Sequence, residues 1–174
     1  NRSPAKTQAA LFEVMEERQI TYDGSTYKFN EPFMVLATQN PVEHEGTYRL
    51  PEAQLDRFLF KIEVKYPSPE EEIRILEHTH QGITAHFTDV VQPVLTAAQI
   101  IGYRKTVTGV HVEDKVMRYI AELVYETRNN KAIYLGGSPR ASVAVLRSSK
   151  AIAAMRGRSF VTPDDIAEVL RPVL

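Results

Sequence analysis

Four Ser-Pro or Thr-Pro pairs constrain the fold more than any other feature of this sequence. A hydroxyl side chain at the N-cap accepts a hydrogen bond from a free backbone N–H, and the following proline has a φ angle suited to the first helical position. Each pair therefore predicts the start of a helix. The pairs are Ser3-Pro4, Ser68-Pro69, Ser138-Pro139 and Thr162-Pro163.

The first β pattern along the chain is a hairpin signal. Asp23-Gly24 is a two-residue type I′ turn sequence between two β-rich runs. A two-residue turn here places Tyr22 opposite Ser25. The next pair in the same register is Ile20 opposite Tyr27.

Two further segments predict strands of a sheet. Residues 33–38 form an apolar run that is too short for a helix and does not alternate, which is typical of a central strand covered on both faces. Residues 58–66 alternate between apolar and charged side chains, as a half-exposed strand would. We therefore expect an α/β unit over residues 1–66 with an incomplete sheet.

After Pro67 the pattern becomes helical, and we predict a domain boundary there. Residues 67–174 are expected to form an all-α helical bundle. Helices are predicted near 3–17, 69–80, 97–106, 113–128, 139–156 and 163–171, with a capping box of Ser68 and Glu71 at the second. The predicted core stripes are Val116, Ile120, Leu123 and Thr127 on one helix and Ala141, Val145, Ile152 and Met155 on another.

The composition excludes several classes of function. With 21 basic and 22 acidic residues, no overall charge attracts the chain to nucleic acid or to an anionic membrane. No apolar run reaches membrane-spanning length. The absence of cysteine excludes disulfides and thiolate zinc sites, and it predicts a cytoplasmic location. No metal site is predicted, because His78 and His80 lie at i and i+2, which on a helix point to different faces.

Asn40 is the first candidate functional residue. It follows the predicted central strand, and open α/β sheets bind ligands beyond the carboxyl ends of their strands. Its amide could orient a phosphate or an attacking water there. The alternative is that Asn40-Pro41 only starts a turn.

Arg57 is the second candidate. It ends a short predicted helix that leads into the alternating strand. An arginine at a subunit edge can reach a neighbour's nucleotide and neutralise charge that develops on the transferred phosphoryl group. The alternative is a local ion pair with Glu52 or Asp56.

Arg140 is the third candidate, in the first turn of a predicted helix, where free N–H groups and the helix dipole favour an anion. No acidic residue occurs between Thr127 and Pro163. This stretch is either a solvated basic face or a surface for polyphosphate or nucleic acid. Its basic residues are Arg128, Lys131, Arg140, Arg147, Lys150, Arg156 and Arg158.

In this order and context, Asn40, Arg57 and Arg140 resemble the sensor 1, arginine finger and sensor 2 of AAA+ ATPases. The sequence is similar to the MoxR family of these ATPases over essentially its whole length. In that family the corresponding segments are the helix after Walker B, the pre-sensor-1 hairpin, the two sensor segments and the last lid helix. Here they read NRSPAKTQAALFEVMEE, QITYDGSTYKF, ATQNPVEHEGTYRLPEAQLDRF, GGSPRAS and VTPDDI.

The resemblance implies a homo-oligomeric, hexameric ring that binds ATP and Mg²⁺ and remodels or matures protein complexes as a chaperone. In such a ring Asn40 orients the hydrolytic water and Arg57 acts on the adjacent subunit's site. Arg140 contacts the γ-phosphate, in its own subunit or across the interface. The resemblance also implies a von Willebrand factor A domain protein as a partner. The balanced charge predicts neither a nucleic-acid nor a membrane partner.

The sequence departs from the family pattern at the P-loop. None of its eight glycines is followed by lysine, so Walker A is absent, and the acidic Walker B pair would fall just before Asn1. We therefore expect the end of an AAA+ core over residues 1–66 and a helical lid over residues 67–174. This segment alone is expected to bind no nucleotide tightly and to be inactive as an ATPase.

Two alternatives remain open from the sequence. One is a nucleic-acid motor related to replicative helicases, which use similar hairpins and lids. The other is a non-catalytic interaction module with a degenerate core.

Overall fold

The computed structural model describes residues 5–39, 51–82 and 91–174. Its compact units are Asn1–Lys61 with Ala97–Leu174, and Ile62–Thr96. No helix within the described ranges is long and apolar enough to cross a bilayer. The elements are α1 (Ala5–Glu17), β1 (Gln19–Tyr22), β2 (Ser25–Lys28), α2 (Glu52–Leu55), α3 (Pro69–His80), α4 (Ala97–Thr108), α5 (Asp114–Asn129), α6 (Pro139–Met155) and α7 (Pro163–Val173).

The predicted hairpin is confirmed. Strands β1 and β2 pair antiparallel with Tyr22 opposite Ser25, and the next pairs follow the predicted register. Asp23 and Gly24 have φ angles of 48° and 73°. A type I′ turn needs positive φ at both central positions, and the Asp-Gly sequence tolerates this conformation.

The two other predicted strands are not formed, so those predictions are wrong for this structure. Residues 33–38 and 58–66 contain neither strand nor helix. Leu36 is 87% exposed and Val64 is 92% exposed. A buried strand needs neighbouring strands that pair with its backbone groups. In the described residues the strands are β1 and β2, which pair with each other.

Helix starts follow the hydroxyl-proline pairs. The amide of Glu71 donates to Ser68 Oγ at 3.3 Å, and the Ser68 amide donates to Glu71 Oε2 at 2.8 Å, which confirms the capping box at α3. Helices α6 and α7 begin at the predicted prolines, after Ser138 and Thr162. Ser3-Pro4 lies outside the described residues.

Helix α6 is the centre of the helical bundle. Helices α4, α5 and α7 all pack against it, and the buried side chains form one apolar cluster. Two backbone hydrogen bonds join His111, which precedes α5, to the segment before α7. The His111 amide donates to the Ser159 carbonyl, and the Val161 amide donates to the His111 carbonyl. The buried cluster contains Val110, Ile120, Val145, Ala153, Val161, Ile166 and Val169.

The buried face of α6 differs from the predicted stripe at one position. Met155, expected in the core, is 82% exposed. Helix α6 instead buries Ala141, Val145, Ser148, Ser149 and Ala153. The predicted stripe thus shares Ala141 and Val145 with this face but leaves out the small buried residues Ser148, Ser149 and Ala153. The buried Ser149 hydroxyl is satisfied by donating to the Val145 carbonyl at 2.8 Å.

Asp165 anchors the start of α7 to the end of α6. Its side chain is fully buried and accepts hydrogen bonds from Arg158 at 2.8 Å, from Arg156 at 3.1 Å and from the Thr162 amide at 2.9 Å. The hydrogen bond from the Arg158 guanidinium holds the pKa of this carboxyl well below its usual range. The buried charge is therefore compensated.

We expect Asp165→Asn to lower the free energy of unfolding by about 3 kcal/mol, because it removes the negative partner of two arginines at a buried position. Urea unfolding followed by circular dichroism measures this. Asp164→Asn removes the same charge from the neighbouring, exposed position and should change stability by less than about 0.5 kcal/mol. Equal effects of the two substitutions would contradict the anchoring role.

Asp165→Asn and Asp164→Asn should also differ in how their free energy of unfolding changes at acid pH. The folded pKa of Asp165 lies below its ordinary value of 3.8. Its contribution to stability is therefore complete above that value and is lost as the pH falls toward the folded pKa. Asp165→Asn should lack this part of the acid dependence.

Candidate functional site

Arg57 lies just after α2, in a turn that fixes its backbone. Its amide donates to the Gln54 carbonyl at 3.3 Å. The guanidinium carbon lies 5.9 Å from the centre of the Phe12 ring, and the side chain forms an ion pair with Glu16. Because Phe12 and Glu16 are one turn apart on α1, a single helix face holds both the ring and the carboxylate.

Arg140 lies in the first turn of α6, next to its N-cap. The Ser138 hydroxyl accepts a hydrogen bond from the Arg140 amide at 3.0 Å and donates to Asp56 Oδ1 at 2.7 Å. The Arg140 guanidinium donates to Glu16 Oε1 at 3.0 Å and lies 3.6 Å from Asp56 Oδ2. The start of α6 is thereby fixed beside the residue that precedes Arg57.

Glu16 joins the two arginines. Its Oε1 contacts Arg140 and its Oε2 contacts Arg57. The guanidinium groups of the predicted finger and sensor 2 residues thus lie around one carboxylate. Two like charges held this close repel each other unless an anion lies between them. In this structure that anion is Glu16, with Asp56 as a second carboxylate near Arg140, so an external anion would bind here in exchange for Glu16.

Two glycines before Arg140 let its loop approach α5. A Cβ on Gly136 would lie 2.6 Å from the Arg128 Cα, and a Cβ on Gly137 would lie 2.8 Å from Leu174 Cδ2. The Gly137 amide donates to Thr127 Oγ1 at 2.9 Å, and Arg128 Nε donates to the Gly137 carbonyl at 2.7 Å. At Gly136 the overlap is with the backbone of α5, so a side chain there would displace the loop, whereas at Gly137 the nearest atom is the movable end of the Leu174 side chain.

The residues present fit a phosphate better than they fit a metal. Arg57 Nε has no hydrogen-bond acceptor among the described residues but is itself buried, so an anion would meet this partly exposed guanidinium at its outer N–H groups. The described part of the chain has no group of three or more His, Cys, Asp or Glu side chains arranged around a metal position.

The structure brings together two of the three predicted site residues. Arg57 and Arg140 share Glu16, and the local pairing of Arg57 with Glu52 or Asp56 that was the alternative is replaced by this longer-range ion pair. Asn40 lies outside the described residues, so its role stays a prediction.

Sequence reasoning missed Glu16 as part of the site. A carboxylate in the last turn of a helix is disfavoured by the negative end of the helix dipole, and α1 has no basic residue in that turn. Such a residue therefore needs a cation from elsewhere in the fold. This is the signal that could have identified it.

The basic stretch around Arg140 is largely paired. Five of its seven basic residues contact acceptors: Arg140 contacts Glu16 and Asp56, Arg156 contacts Asp165 and Glu168, Arg158 contacts Asp165, and Arg128 and Lys150 donate to backbone carbonyls. The acidic partners lie outside the stretch, which is why the sequence shows an excess of basic residues within it. This favours a structural role for most of these charges.

Two family models match the chain. The first describes the ATPase family associated with various cellular activities (AAA) and matches residues 1–60. The second describes the AAA lid domain and matches residues 125–174. Arg57 falls within the first match and Arg140 within the second.

Three similar proteins cover nearly all of the chain. The uncharacterized protein YeaC of Bacillus subtilis is 45% identical over 95% of this chain and 51% of its own length. The chaperone MoxR1 of Mycobacterium tuberculosis is 40% identical over 100% of this chain and 47% of its own length. A crystal structure from Cytophaga hutchinsonii, assigned as an ATPase, is 40% identical with a TM-score of 0.87, over 100% of this chain and 55% of its own. The chain thus spans about half the length of the relatives it matches.

We expect Gly136→Ala to lower the free energy of unfolding by about 2 kcal/mol, because the added Cβ overlaps the backbone of Arg128 and the loop must shift. Urea unfolding measures the change. Gly102→Ala is the matched control: a Cβ there meets open space on helix α4. It should raise stability by about 0.5 to 1 kcal/mol. A neutral Gly136→Ala variant would contradict the close approach.

Proposed function

Because the chain belongs to the MoxR family of AAA+ ATPases, we propose that it is the C-terminal part of a ring-forming ATPase. In the full-length protein, ATP hydrolysis drives chaperone-like remodelling or maturation of protein complexes. The name of the relative MoxR1 supports the chaperone role. The segment described here supplies arginines to the nucleotide, and the P-loop comes from elsewhere in the full-length chain.

The observation that carries this proposal is the shared carboxylate. Arg57 and Arg140 come from segments that match different family models, yet both contact Glu16. When Glu16 is displaced, the two guanidinium groups offer several N–H donors and positive charge, which Asp56, 3.6 Å from Arg140, partly offsets. Such a site matches the three equatorial oxygens of a transferred phosphoryl group.

In the proposed mechanism Arg57 is the arginine finger and neutralises negative charge that develops on the phosphoryl group of the adjacent subunit's nucleotide. Arg140 is the sensor 2 residue and donates hydrogen bonds to the γ-phosphate. Asn40 orients the attacking water. When bound, Mg²⁺ would supply charge neutralisation at the β- and γ-phosphates; the described residues contain no carboxylate cluster that fits it.

The proximity of Arg57 and Arg140 supports their action on one nucleotide. Side chains that contact the two oxygens of the same carboxylate can reach the same phosphate without a rearrangement of their helices. If Arg57 acts across the subunit interface, Arg140 acts across it as well. This arrangement is part of the proposal.

The assembly and its partners complete the proposal. We expect a homo-oligomeric, hexameric ring in the cytoplasm, with a von Willebrand factor A domain protein as a partner. A nucleic-acid motor is less well supported, because most of the basic residues near Arg140 are engaged within the chain.

In the full-length protein, Arg57→Ala should lower the ATP turnover rate on the order of a thousandfold while nucleotide binding stays largely intact, because the finger acts on charge in the transition state. Steady-state phosphate release measures turnover, and a fluorescent nucleotide measures binding. Arg104→Ala, which removes an exposed arginine paired with Glu31, is the matched control. Unchanged turnover in Arg57→Ala would remove Arg57 from the finger role.

The 174-residue segment by itself is the second control. It lacks a Gly-Lys sequence to hold phosphates, so it should show no ATP turnover. Turnover by the purified segment would contradict the assignment of the P-loop to another part of the protein.

A further inference from the structure

Glu16 has no assigned role in nucleotide chemistry, yet both proposed phosphate ligands contact it. Its two carboxylate oxygens are divided between Arg140, at 3.0 Å, and Arg57. A carboxylate with both oxygens on guanidinium groups resembles a phosphate in charge sign and in hydrogen-bond geometry. Glu16 thus occupies the donors that a phosphate would use.

The two contacts of Glu16 differ in their surroundings. The Arg57 side chain is 26% exposed and lies over the Phe12 ring. The Arg140 side chain is 56% exposed. Exposed ion pairs are weak, on the order of 1 kcal/mol or less. The Arg140 contact is therefore the one that can be exchanged at low cost.

The backbone that carries Arg140 is held independently of Glu16. The Ser138 hydroxyl, which caps the Arg140 amide, donates to Asp56 at 2.7 Å. The Gly137 amide is bound to Thr127 on α5. Arg140 can therefore release Glu16 by a side-chain rotation while the start of α6 stays in place.

We propose that Glu16 is a positioning residue that holds Arg57 and Arg140 together without nucleotide and competes with the phosphate for Arg140. It keeps the two cations adjacent, and it gives up Arg140 when a more highly charged phosphate is present. Glu16 thereby sets both the placement of the arginines and the affinity for nucleotide. This inference rests on the proposed function, because it requires that Arg140 binds the nucleotide's phosphate.

The test is Glu16→Gln in the full-length protein, titrated with a fluorescent, non-hydrolysable ATP analogue. Removing the competing charge should lower the Kd of the analogue about fivefold, the factor that corresponds to a weak ion pair. The kcat for ATP should fall, because the arginines lose their common anchor. If Glu16 had only a structural role, Glu16→Gln would weaken binding of the analogue. Tighter binding together with a lower kcat therefore distinguishes competition with the phosphate from a structural role.

Glu17→Gln is the matched control, since it removes the same charge from the next, exposed position of α1. It should change neither the Kd nor kcat. In an Arg140→Ala background, Glu16→Gln should no longer tighten binding, because the competition is for Arg140. Circular dichroism of each variant checks that it keeps the wild-type fold, and Kd values are compared only among folded variants.

The outcomes separate the two proposals. If the wild-type protein binds the analogue and Glu16→Gln binds it equally or more weakly, the competition by Glu16 is overturned while the ATPase assignment stands. Equal tightening in Glu17→Gln would also overturn it, since the effect would then be one of overall charge. If the full-length wild-type protein binds no analogue, the proposed function fails and this inference fails with it.

Discussion

The contact of Glu16 with two arginines is the interaction on which the candidate site depends. It joins three segments that are far apart in the sequence: the end of α1, the turn after α2 and the first turn of α6. The carboxylate between the two guanidinium groups offsets their repulsion, while the hydrogen bonds of Gly137 and Ser138 fix the backbone near Arg140. The same cluster thus connects the core-like and lid-like parts of the chain and defines what the site can bind.

Two contacts near this cluster hold the backbone that carries Arg140. The Gly136-Gly137 loop lies against α5, and Asp165 ties α7 to the end of α6 through a buried, fully paired charge. Each contact depends on one residue. A side chain at Gly136 would overlap the backbone of Arg128, and replacing Asp165 would leave Arg158 without its buried partner. These contacts fix the backbone near Arg140, whereas its side chain is 56% exposed and pairs with Glu16 and Asp56.

Local sequence signals predicted the helices and the hairpin because their causes are local. Hydroxyl-proline pairs and the capping box at Ser68 act within one turn, and Asp23-Gly24 acts within its own hairpin. The strands predicted over 33–38 and 58–66 failed because a strand depends on distant partners. Met155 was misplaced for a similar reason: which residues of α6 are buried depends on the helices packed against it, and this face includes small residues such as Ser149 and Ala153 beside Val145.

Arg57 and Arg140 could be predicted one by one, from helix-start chemistry and family resemblance, but their shared partner could not, because it depends on the tertiary fold. The central claim is that these arginines serve one phosphate. The most direct measurement is a structure of the full-length ring with a non-hydrolysable ATP analogue. We expect both guanidinium groups to contact the phosphates of one nucleotide, with Arg140 released from Glu16. Arginines on different nucleotides, or Arg140 still bound to Glu16, would contradict the account.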